Sequence, residues 1–199
     1  MQEVVERARY PFAIDVRHAA RFTGISKKNR RAIEQWAREF AADSEGQVTI
    51  VEARIEARRR RAELWPTIDQ YVERAVRQRL AEPDLAGPWT PLTDDEWELA
   101  TLPNRGFGKN YPGILASRAF TLPIPLVREL RTAAVRVSEE PLAQMEELGL
   151  LYNSLLYDDD ERERREELVK LVFSAPRIVR QALERYGPWP PEDGPPSSD

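Results

Sequence analysis

Apolar residues recur at three- and four-residue spacings along most of the chain, a rhythm that predicts helices rather than strands. Ile33, Trp36, Ala37, Phe40 and Ala41 give one apolar face to a helix over residues 27–42, with Ser26 placed to cap it and residues 43–46 to end it. Thr49 with Glu52 has the spacing of a capping box and opens an Arg-rich helix that Pro66 must stop or kink. Thr67 with Gln70 repeats the signal, and Ile68, Tyr71, Val72, Ala75, Val76 and Leu80 form the cleanest amphipathic pattern in the chain.

From Glu82 to Asn104 there is no basic residue, and Pro83, Gly87, Pro88, Pro91 and Pro103 break the segment into a connector around one short helix that Thr93 and Glu96 can cap. Trp89, Trp97 and Tyr111 in this part are candidates to cover the core or to meet a partner. Residues 105–113 read as a loop and 118–124 as a short extended piece. Pro125 then opens a helix carrying Val127, Leu130, Ala134 and Val137. Two more helices follow, one through Asp158 to Phe173 and one capped by Ser174 with Ile178, Val179, Ala182, Leu183 and Tyr186, stopped by Gly187 and Pro188. The last dozen residues, rich in Pro, Ser and acid, are expected to be disordered.

The fold class is therefore mainly α with little β. The expected parts are a basic helical domain over residues 1–82, an acidic Pro- and Trp-containing connector over 83–117, a C-terminal helical part over 118–187 and a tail over 188–199. Charge supports the division. Residues 1–80 carry 17 Lys and Arg against 12 Asp and Glu, a net of +5, whereas residues 81–199 carry 13 against 22, a net of −9. A polyanion would meet the first part, leaving the second to water, to protein partners or to self-association.

Composition narrows the chemistry. A chain of 199 residues with 41% apolar content can bury a proper core. No apolar run approaches the ~20 residues of a membrane helix, and the start lacks the apolar stretch of a signal peptide, so a cytoplasmic protein with no membrane association is expected. With no cysteine and one histidine, the sequence offers no thiolate nucleophile, Cys-ligated zinc or phosphate loop. No catalytic, cofactor-binding or metal residue is nominated, and no enzyme is expected. Gly106-Phe107-Gly108-Lys109 lacks the spacing of a phosphate loop and reads as a turn. His18 beside Asp15 reads as an incidental surface histidine, and Asp158 to Glu161 as an acidic helix start rather than a calcium loop.

Chemistry concentrates between Asp15 and Phe40. Ile14 and Asp15 can staple and cap a first helix, Ala20 is small enough for a close corner, and Gly24 suits a turn. Ile25 and Ile33 are placed to anchor the turn and pack a second helix back, and that helix begins with Lys27-Lys28-Asn29-Arg30-Arg31. Over about residues 14–40 this segment resembles the helix-turn-helix family of DNA-binding domains. The resemblance implies that Ser26, Lys27, Lys28 and Arg31, with Asn29 beside them, face the major groove, Arg and Lys suiting guanine edges and Asn suiting adenine. Lys27 and Lys28 would then sit in a helix's first turn, where the macrodipole disfavours cations unless an anion answers them.

A second cluster follows on the next helix. Arg59 and Arg60 have Glu56 and Glu63 at pairing distance, but Arg54, Arg58 and Arg61 fall on one stripe with no acid three or four residues away. A phosphate backbone would satisfy the stripe, as would Asp94, Asp95, Glu96 or Glu98, in which case the connector would mask it from nucleic acid. Two fragments carry further resemblances. Residues 120–130 and 174–186 are similar to the strand and closing helix of ribbon-helix-helix regulators, and residues 32–38 with 48–54 are similar to the small terminal helical domain of dark-operative protochlorophyllide reductase subunits. No functional residue follows from either. The resulting expectation is a regulator or accessory protein that contacts double-stranded DNA through the basic helix 27–42. The competing class is a non-enzymatic helical interaction or assembly protein that touches no nucleic acid.

Overall fold

The computed structural model describes residues 5–61, 66–101, 111–152 and 154–187. It is mainly helical, with eight helices among the described residues, 63% helix and a single two-stranded sheet. Strand β1 (Arg7–Asp15) pairs antiparallel with β2 (Leu115–Pro123), in a register running from Arg7 opposite Pro123 to Asp15 opposite Leu115. Phe12, Ile14, Phe120 and Leu122 are turned inward and almost fully buried. Pro11, which has no N–H to give a ladder, is exposed, as a ribbon with two free edges permits. The sequence reading anticipates only the end of β2. It misses β1, whose partner lies about a hundred residues away.

Helix α1 (Val16–Asp43) follows β1 directly, and Asp15 caps it by accepting from Arg17 N–H at 2.7 Å. This overturns the expected corner: the 28 residues form one helix, Gly24 lies inside it and Ser26 caps nothing. His18, Phe22, Ile25, Asn29, Ile33 and Trp36 continue one face at unbroken three- and four-residue steps, so the segments either side of Gly24 stay in phase. One exposed glycine costs a helix only about 1 kcal/mol, too little to break that face. Lys27 and Lys28 are consequently mid-helix, and the macrodipole argument no longer applies to them.

Helix α2 (Ile50–Arg59) returns along α1 after the capping box of Thr49 and Glu52, making an antiparallel arm with Ala37, Ala53 and Ala57 buried. Helix α3 (Ile68–Leu80) starts at the Thr67 and Gln70 box. Helix α4 (Asp94–Thr101) lies in the acidic connector, its Glu96 N–H donating to Thr93 Oγ1. Helix α5 (Ile124–Arg136) leaves β2, followed by α6 (Glu139–Glu147), which the sequence reading did not separate. Helix α7 (Asp159–Leu171) is capped by Asp158, at the acidic start the sequence marks, and α8 (Ala175–Tyr186) has the expected cap, Ser174.

The main core draws on both parts that the charge pattern separates: β1, β2, the start of α1, α3, α5 and α8. Phe22 meets Phe120 edge to face at 5.8 Å, and Trp89 and Tyr186 pack around the same cluster. Arg79 of α3, essentially buried, is held by both oxygens of Asp84 at 2.7 Å and by Gln181 Oε1 of α8 at 3.0 Å. A second cluster, with Leu142, Met145, Leu150 and Leu168, joins α6 to α7. The expected tail and the glycine turn at 106–109 lie outside the described residues. No helix among the described residues is long and apolar enough to cross a membrane.

Candidate nucleic-acid interface

Because its inner face is occupied by the core and by α2, α1 turns its remaining side chains to water. Lys27, Arg31 and Arg38 follow one another on the outer side at four and seven residues, with Lys28 and Arg30 on its flanks. All five are exposed, and none makes a hydrogen bond or ion pair among the described residues. Over residues 16–61 the arm carries 12 Lys and Arg against six Asp and Glu, a net of +6. Glu34 is engaged by Arg54, and Glu39 accepts from Gln35 at 2.8 Å. The positive ridge is therefore unneutralised along the outside of α1, over about 16 Å from Lys27 to Arg38 at the rise of a helix.

The other predicted residues separate into two groups. Arg54 leaves the expected stripe: its guanidinium binds Glu34 Oε2 across the arm at 2.8 and 3.0 Å. Of the acids nominated for that pairing, Glu96 is engaged elsewhere, and neither Asp94 nor Asp95 meets the stripe among the described residues. Arg136 grips both oxygens of Glu96, at 2.6 and 2.9 Å, and holds its carboxyl down to about 2, while Asp94 and Asp95 are exposed. The Glu98 side chain lies outside the described residues. Arg58 and Arg61 are exposed and without a partner among the described residues. Arg59 pairs with Glu56 at 2.9 Å as expected.

Ser26, Asn29 and Arg61 come together where α1 passes the start of α3, lining a cleft of about 290 Å³ with Thr67, Asp69 and Arg118. Asn29 is committed there to the Pro66 carbonyl at 3.1 Å, so its amide is a brace between elements rather than a base reader. Arg118, on β2, went unremarked in the sequence. Its guanidinium lies over the Phe22 ring at 5.3 Å and shares the cleft with Arg61. Arg30 and Arg38 also belong to the cationic surface and were not nominated. Exposed basic residues on a helix already known to be packed on one side were the missing signal.

Among the described residues, the one place resembling acid–base machinery is the corner between β1 and α1. Asp15, 2% exposed, accepts from the Arg17 backbone, from Arg17 Nε and NH2 at 3.1 Å, and from Tyr111 Oη–H at 2.6 Å. The Arg17 bonds, aided by Tyr111, hold its carboxyl far below the usual carboxylate range. A carboxylate so fully donated to is a poor base, and its work is to close the corner. His18 beside it is buried, a correction to its expected surface position, and burial pushes its imidazole below the ordinary value. Arg180 stacks on Tyr111 at 4.9 Å and donates to the Ala13 carbonyl, tying α8 to the same corner. Among the described residues no group of three His, Cys, Asp or Glu side chains is placed to hold a metal ion.

No family model, curated protein or solved structure matches this chain. Its functional reading therefore rests on its own geometry.

Proposed function

We propose that this chain is a duplex-DNA-binding accessory protein, without catalytic chemistry, that holds the phosphate backbone through the outer ridge of α1. The observation that carries this reading is the set Lys27, Lys28, Arg30, Arg31 and Arg38, all exposed and unpaired among the described residues although 34 acids are present in the chain. Charge left in that state is what counterion release rewards when phosphates arrive. A single helix also fits the major groove, about 12 Å wide, with α2 remaining outside it. Without a turn at Gly24 nothing presents a recognition helix end-on, and Asn29 is occupied. The contacts this surface favours are consequently to phosphates, which position a protein on DNA and carry no sequence.

Salt titration tests the reading. With roughly four to six phosphates neutralised, the logarithm of affinity for duplex DNA is expected to fall against the logarithm of salt with a slope of about −4 to −5. K27A/K28A/R31A is expected to keep its helical circular dichroism, since all three side chains are exposed, and to lose about 3 from the magnitude of that slope. Absence of binding to any duplex at low salt overturns the proposal and favours the assembly reading.

A further inference from the structure

The loop between α6 and α7 exposes Leu148, Tyr152, Leu155 and Leu156, and the last two are each 93% exposed. Single exposed leucines are commonplace, but two adjacent ones, each almost wholly in water, are not. The tip is braced from within. Tyr157 Oη–H lies 2.8 Å from the Gly149 carbonyl and 2.6 Å from the Tyr152 carbonyl, and Leu156 N–H donates to Ser154 Oγ. The leucines are thus presented on a held backbone, which lowers the entropy cost of docking them. Acid follows at once: Asp158, Asp159, Asp160 and Glu161 are all exposed, and Asp160 has no partner among the described residues.

A complementary surface lies on α2 of the same chain. On the outer side of α2, Val51 and Ile55 are 58% and 60% exposed, one turn apart, and Arg58 continues their line without a partner among the described residues. The acids of that helix are engaged, Glu52 in its own cap and Glu56 by Arg59. One surface is apolar beside acid and the other apolar beside base. Each remains open in the single chain, so neither serves as the other's cover within it.

We propose that a second copy of this chain is the occupant: the Leu155–Leu156 tip of one copy docks on the Val51, Ile55 and Arg58 face of the next, with Asp160 answering Arg58. The contact joins two different surfaces, so it is head-to-tail and leaves one tip and one α2 face free at the ends of any open assembly. It is independent of the nucleic-acid reading, because the ridge of α1 takes no part in it.

Sedimentation velocity on the full chain decides the matter. The wild type is expected to gain mass with concentration, beyond a dimer, and to lose it as salt is raised. L155D/L156D and V51D/I55D, changed only at exposed positions, are each expected to remain monomeric with unaltered circular dichroism. Their equimolar mixture is expected to form a dimer that grows no further, because it contains one intact tip facing one intact α2. D160K and R58E are each expected to weaken association roughly tenfold or more, and the D160K/R58E double variant to recover most of it. A wild type that stays monomeric throughout overturns the proposal, as does a mixture that stays monomeric or a single-surface variant that still associates. DNA binding measured on L155D/L156D reads the other proposal separately.

Discussion

Gly24 is exposed, has an ordinary helical backbone, and nothing lies within 4 Å of the Cβ that a larger residue would place there. Gly24→Ala is therefore expected to stabilise the protein by about 0.5–1 kcal/mol, read as a higher urea midpoint. A turn at that position would make the same change destabilising, so the sign separates one long helix from two short ones. His18 supplies a pH dependence. Burial lowers its folded-state affinity for a proton below the ordinary value of 6.5, with the Asp15 charge opposing, so the unfolded chain takes up the proton first as pH falls. Stability should decline from about pH 6.5 downward until the folded imidazole itself charges. A thermal-denaturation series from about pH 7.5 to 5.5 checks this, and His18→Gln is expected to flatten the curve in that window. What was legible at this scale is what acts over three residues: the caps at Asp15, Thr49, Thr67, Thr93 and Ser174 are where the sequence places them, while the cap expected at Ser26 is absent because the helix runs through it. Pairings across elements, such as Arg54 with Glu34, had no local signal to betray them.

At the scale of elements, the arm of α1 and α2 depends on small side chains. Ala37, Ala53 and Ala57 are fully buried where the two helices meet, which lets the backbones approach and sets the direction in which the cationic ridge faces. Ala57→Leu is expected to cost about 1–3 kcal/mol through overpacking, measured by chemical denaturation, and to weaken DNA binding without removing a charge. The Arg54 and Glu34 pair, each side chain about two-fifths exposed, is expected to contribute no more than about 1 kcal/mol in a double-mutant cycle. Amphipathic periodicity made α3, α5 and α8 readable, with a capping box marking α2 and a charged stretch marking α7. It failed at Gly24, where turn chemistry was credited above an apolar face that never changed phase. It failed again at β1, where Pro11 and the charges of Arg7 and Arg9 disguised alternating inward residues whose partner strand lies far along the chain.

At the scale of the whole molecule, the described residues form two apolar clusters of unequal size. The larger fuses the ribbon with α3, α5 and α8, while the smaller fastens α6 to α7. A join between them is the Ser138 hydroxyl, which accepts from Phe173 N–H at 2.8 Å. Leu168→Ala, at a site 2% exposed in the smaller cluster, is expected to lower stability by about 2–5 kcal/mol. Hydrogen exchange should show the loss as faster opening of α6 and α7, with α3 and α8 still protected. Equal loss of protection in both would mean one cooperative unit. The ribbon carries a consequence for the chain's birth. Asp15 pairs with Leu115, so about a hundred residues must leave the ribosome before β1 meets its partner, an interval of about 5–20 s at usual synthesis rates. For that time Phe12 and Ile14 have no sheet to join, and the foundation of the larger cluster is laid only after the arm built upon it has already emerged.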